Sequence, residues 1–174
     1  MCSSDLTYGY NHEEAVTCFR NAAAADPGCA MAQWGIAYAA GPFYNRPWIR
    51  FTEAEIAEAL PVCHEAVTAA LSLAAGAAPA ERALIQALAA RYRNPDERDR
   101  DVLSAWQWDY ADAMAAVCRA HPDDPDVAAL YAEAAVTCTP RQLWNLKTGE
   151  ANPRARTAEV MPVLDRWMAR IEGA

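Results

Sequence analysis

Lysine is nearly missing from this sequence: Lys147 is the only one in 174 residues, so arginine carries almost all of the positive charge. Bases of both kinds number 15 against 23 acids, and the net charge of −8 leaves no basic surface for nucleic-acid phosphates. The same charge disfavours an anionic membrane surface. Glycine is scarce too, and its seven copies form no phosphate-cradling loop. No serine or cysteine stands at a recognisable spacing from a base, which removes the familiar nucleophile–base arrangements. The six cysteines include no CxxC and no Cys/His group at zinc-ligand spacing, so no metal or other cofactor is expected. Cys18, Cys29, Cys63, Cys118 and Cys138 sit singly in alanine-rich contexts, which suits free thiols in a reducing cytoplasm. No leader of basic then apolar residues is read at the start. Nor is any apolar run read as long enough to cross a bilayer. The expected location is cytoplasmic, with neither nucleic acid nor membrane as partner.

Hydrophobic residues are abundant, at 53%, and much of that fraction is alanine. Alanine favours helices that approach one another closely. Six Trp and seven Tyr, against three Phe, supply the bulky anchors. Strand-like alternation is absent throughout, and the predicted fold class is all-α. Asn11 is read as an N-cap before a helix that ends at Asp26-Pro27-Gly28. A second helix spans about 29–40, and residues 43–50 form an aromatic loop. Thr52 with Glu55 predicts a capping box that opens a helix to about residue 75, with Pro61 kinking or dividing it. Pro79 opens a helix to residue 92. Further helices are predicted over 98–120, 127–137 and, after a Thr157 cap, to residue 171. Residues 142–156 read as an ordered loop around Leu143 and Trp144.

One spacing occurs twice. Ala15, Phe19, Ala22 and Pro27 are separated by four, three and five residues, and Ala113, Val117, Ala120 and Pro125 repeat those intervals 98 residues later. Each proline follows an aspartate, and an alanine (Ala30, Ala128) follows three residues on. Small residues let a second helix approach closely, the large one fills the gap between pairs, and the proline fixes the corner. This resembles the tetratricopeptide repeat, whose second helix has a small–large–small pattern and a terminal proline. The resemblance implies antiparallel helix pairs stacked as an α-solenoid.

A closer likeness runs through Tyr8-Gly9-Tyr10-Asn11-His12-Glu13-Glu14-Ala15, Asp26-Pro27-Gly28-Cys29-Ala30-Met31-Ala32 and Trp34-Gly35-Ile36-Ala37. It continues in Glu81-Arg82-Ala83-Leu84-Ile85 and in residues 124–130. These look like a bacterial family of larger tetratricopeptide-domain proteins with a histidine-rich downstream half and an undefined role. By that comparison the chain is expected to be a fragment cut at both ends, with Trp167 and Ile171 exposed. Residues 1–6 resemble a translated sequencing adapter, and are expected to be non-native and outside a repeat domain over 7–174.

Two functions are weighed. The first is a non-enzymatic scaffold whose concave face binds a protein or peptide, with Met31, Trp34, Tyr38, Tyr44 and Asn45 as groove residues. The groove lacks the Lys, Arg and Asn of the carboxylate-clamp type, so an apolar or basic partner is expected, unless the loop bearing Phe43, Tyr44 and Trp48 covers it. The second is the front part of a metal- or haem-dependent enzyme, with His12 and Glu13 contributing ligands. One histidine and one carboxylate do not complete a metal site. A pocket gathering His12, Glu13, Tyr44 and Asn45 is what the second function requires.

Overall fold

The computed structural model describes residues 3–172, with side chains described over 5–170. Among these residues the regular elements are helices: α1 (Ser3–Tyr8), α2 (His12–Ala25), α3 (Ala30–Ala40), α4 (Glu53–Leu73), α5 (Pro79–Ala89), α6 (Arg100–Ala120), α7 (Pro125–Thr137) and α8 (Thr157–Glu172). Short 3₁₀ turns at Trp48–Arg50 and Ala74–Gly76 join them. Among the described residues the only β-type pairings are isolated bridges, Phe43 with Arg46 and Trp144 with Ala151. The fold is all-α.

Local chemistry explains most boundaries. The Glu55 amide donates to Thr52 Oγ1 at 3.2 Å, and the Thr52 amide donates to the Glu55 carboxylate at 2.7 Å. This reciprocal pair satisfies two amides that a helix start otherwise leaves open. α4 runs on through Pro61 undivided. The two Asp-Pro turns share a device. Asp26 accepts from the Gly28 amide at 3.0 Å, and Asp124 accepts from the Asp126 and Val127 amides at 3.0 and 3.1 Å. Two expected caps differ. Asn11 occupies the N-cap of α2 but its side chain makes no capping bond, its amide reaching Glu14 instead. Thr157 is already inside α8, and its hydroxyl donates to the Leu143 carbonyl, anchoring the preceding loop.

Each helix packs on the next in sequence, and α3 also touches α1 and α5. One main core runs through α3 to α7, with Ile56, Leu60, Ile85, Leu88, Leu103, Tyr110 and Met114 fully shielded. Ala15 is buried and Phe19 half-buried against the core, as the repeat spacing predicts, but Ala22 faces solvent. The cause is length: α1 extends about 9 Å and α2 about 21 Å, so the last turns of α2 outrun their cover on that face. Ala23 supplies the inward contact instead. Ala120, at the end of α6, is likewise exposed while Val117 is buried.

Within the segment 1–6, expected to be non-native and outside the repeat domain, Leu6 is buried in a satellite cluster with Ala15 and Ala39. One segment, Glu53–Gly76, is long and apolar enough to cross a membrane by length and composition, contrary to the sequence reading. Leucine and valine, with alanine, produce that hydropathy, and Ile56, Leu60, Cys63, Val67 and Ala70 turn the helix's apolar face to the protein core. Near the end of the chain, Trp167 is half-buried rather than exposed, with the Arg170 guanidinium 4.8 Å from its ring. Met161, Leu164 and Met168 are the large apolar residues of α8 exposed among the described side chains, and the Ile171 side chain lies outside them.

Candidate functional site

Alternate helices contribute to one cleft of about 470 Å³. Tyr8 comes from α1; Met31, Trp34 and Tyr38 from α3; Leu84 from α5; Leu130 from α7. The only α2 contribution is Phe19, the large residue of the repeat. That ring packs on Gly35, where a Cβ would fall well inside the contact distance of ring carbons Cδ1 and Cε1. The glycine therefore lets α2 lie close against α3 and brings the Phe19 ring to the cleft. Trp34 and Tyr38 stack with centroids 4.8 Å apart. Their polar atoms are used internally: the Trp34 indole donates to the Leu84 carbonyl at 3.3 Å, and the Tyr38 hydroxyl donates to Glu133 at 3.2 Å. These bonds tie α3 to α5 and α7 across 50 and 95 residues of sequence.

Every charged residue lining this cleft is acidic: Asp5, Glu81, Asp124 and Asp126. Burial raises the Tyr8 hydroxyl pKa above its usual range, and the carboxylates of Asp126 and then Asp124 push it further. Glu81 and Asp124 have structural duties as well, since each carboxylate caps a helix.

The expected groove residues divide. Met31, Trp34 and Tyr38 share the cleft, whereas Tyr44 and Asn45 do not line it, and no residue of 43–51 covers it. Tyr44 lies in a second cleft, where its hydroxyl accepts from the Arg141 amide at 3.0 Å. Asn45 is exposed.

His12 is half-buried, and its ring stacks on Phe43 at 3.9 Å. Nδ1 lies 3.2 Å from the Ala39 carbonyl, which only a protonated Nδ1 can use. Neutral His12 then presents Nε2 as an acceptor, and Nε2 is buried with no donor. Burial lowers the His12 pKa, opposed by the Ala39 bond and by Glu133. The small cavity beside it includes Tyr10, Tyr38, Phe43 and Glu133, but not Glu13, Tyr44 or Asn45. Among the described residues no group of three or more His, Cys, Asp or Glu side chains is placed to hold a metal ion. His64 is turned inward to the Tyr92 carbonyl at 2.8 Å.

A buried charge escaped the sequence reading. Arg91 is completely shielded, donating from Nη2 to the Pro42 carbonyl at 2.6 Å with its guanidinium 5.0 Å from the Tyr110 ring. Nε and Nη1 have no partner, and each such atom costs about 1–3 kcal/mol. The signal was present in register: Leu84, Leu88 and Arg91 step by four and three along one face of α5 and its continuation.

No family model, curated protein or solved structure matches this chain, so its functional reading rests on these residues and their geometry.

Proposed function

We propose that the chain is a tetratricopeptide-like helical-repeat scaffold that holds an extended protein segment in the cleft shared by α1, α3, α5 and α7. The observation that carries this reading is the alternation itself. Stacked helix pairs turn one helix of each pair toward a common inner face, and the first, third, fifth and seventh helices meet at one cleft. Contacts between α1 and α3, and between α3 and α5, fit the same arrangement. The partner is a segment with an aliphatic or aromatic anchor flanked by lysine or arginine, because the cleft offers apolar walls and only negative charge. The free thiols of Cys18, Cys29, Cys63, Cys118 and Cys138 suit a cytoplasmic setting.

Fluorescence polarisation with labelled octapeptides tests the reading. Alternating Lys/Leu peptides should bind, and more weakly as salt rises. Matched Glu/Leu peptides should not. Glu81→Gln, Asp124→Asn and Asp126→Asn together should weaken binding at least tenfold while preserving side-chain oxygens for helix capping. Equal binding of the acidic peptide, or no binding of either, contradicts the proposal.

A further inference from the structure

The two segments that break the helical period meet on another part of the molecule. The loop 42–50 faces α6, the end of α7 and the turn 138–142 around a cleft of about 360 Å³. That volume is in the range of small-molecule sites. It shares no lining residue with the cleft of alternate helices. The loop is held firmly: Arg46 pairs with Glu55 at 2.7 Å, and the Arg100 guanidinium donates to the Phe51 carbonyl at 2.9 Å. The facing turn is joined to it through the Arg141 amide and the Tyr44 hydroxyl, 97 residues apart in sequence. Arg141 takes a left-handed conformation, φ 64°, which a non-glycine residue adopts only where its surroundings impose it.

Charge at this cleft is the reverse of the chain's net −8. Arg50 and Arg141 are its only charged lining residues, and among the described residues neither guanidinium has an ion pair. Three of its lining residues also carry a buried polar atom without a partner: a donor at Trp48 Nε1, an acceptor at Gln107 Oε1, and the Thr139 hydroxyl. Trp48 is 2% exposed and Gln107 5% exposed. Gln107 is fixed in place, since its amide nitrogen donates to the Ala134 carbonyl at 2.9 Å. Folded proteins leave few such atoms unmatched, and a ligand in the cleft would supply a partner to those it reaches.

We infer that this cleft binds a small carboxylate that also carries a hydroxyl or amino group. The planar guanidinium groups match a carboxylate in two-point contact. The indole N–H donates to a carboxylate oxygen, and Gln107 Oε1 accepts from the ligand's own donor. A simple anion satisfies the first demand and leaves the second unmet.

Isothermal titration of the full chain with malate, succinate and inorganic phosphate tests this, with Trp fluorescence as a second readout. Malate should bind at least tenfold more tightly than succinate, which lacks the hydroxyl, and than phosphate. Arg50→Gln and Arg141→Asn, both at exposed positions, should each weaken malate at least tenfold. Arg154→Gln, outside the cleft, should not. Far-UV circular dichroism checks that each variant keeps its helices. Absence of malate binding at about 10 mM, tenfold above a Kd of about 1 mM, equal affinity for the three anions, or unchanged affinity in the Arg50/Arg141 double variant would overturn the assignment. Loss of peptide binding at the other cleft leaves it untouched.

Discussion

Replacing Gly35 with alanine sets two opposing effects against each other, and the structure decides which wins. Alanine in a helix interior is better than glycine by about 1 kcal/mol. Here the added methyl would land on the Phe19 ring, with Cγ as well as Cδ1 and Cε1 too close, so rotating the ring tip does not relieve it. Overpacking of this kind costs about 1–3 kcal/mol, and an expelled ring also forfeits part of its burial, about 1 kcal/mol for a half-buried Phe. The net expectation for Gly35→Ala is a destabilisation of about 1–3 kcal/mol. In a Phe19→Ala background the obstacle is gone, and the same substitution should stabilise by about 1 kcal/mol. The coupling between the two sites is therefore about 2–4 kcal/mol, at the upper end of the range for residues in contact. Urea unfolding followed by far-UV circular dichroism measures all four chains, with the slope of the transition checking that its character is unchanged. Gly35→Ala stabilising the parent chain, or simple additivity of the two substitutions, would refute the close approach of α2 and α3.

Four further outcomes are expected. Gly41→Ala should destabilise by about 1–3 kcal/mol in the same assay, because its methyl collides with the buried Tyr92 hydroxyl. Thr52→Ala should cost about 1 kcal/mol by removing one side of the capping box. The lowered His12 pKa means that the unfolded chain takes up its proton first as pH falls. The stability this group contributes is present above about pH 6.5 and is lost as pH drops from there toward the folded value; His12→Asn, which keeps a donor for the Ala39 carbonyl, should flatten that part of the pH–stability curve. Burial lifts the Cys63 thiol to about 12, so native protein at pH 8 should alkylate at Cys18 and Cys29 long before Cys63, as read by peptide mass spectrometry, and comparable rates would contradict its shielding.

Much of the helix pattern was legible because the signals that start and stop helices are local. Thr52 with Glu55, the two Asp-Pro turns and Pro79 act within a few residues of themselves, and each marks a boundary in the structure. Ala15 and Phe19 were legible as an inward face for the same reason. Ala22 misled because periodicity gives the side of a helix and not how far its neighbour extends along it. Met31, Trp34 and Tyr38 were readable as a group from their three- and four-residue steps. Tyr44 and Asn45 were grouped with them by proximity in sequence, whereas the loop turns Tyr44 toward Arg141. Nothing local announces that contact, or the Tyr38–Glu133 bond, since both depend on how several helices add up in space.

The proposed scaffold requires that α3 meet both α5 and α7 on one inner face. Nuclear Overhauser spectroscopy on the isotopically labelled chain tests it most directly. Cross-peaks should link the Trp34 indole N–H to Leu84 protons, and the Tyr38 ring to Glu133 side-chain protons, across 50 and 95 residues of sequence. A spectrum in which both aromatic rings report only neighbours from α3 and α4 would contradict the shared cleft and the scaffold built on it.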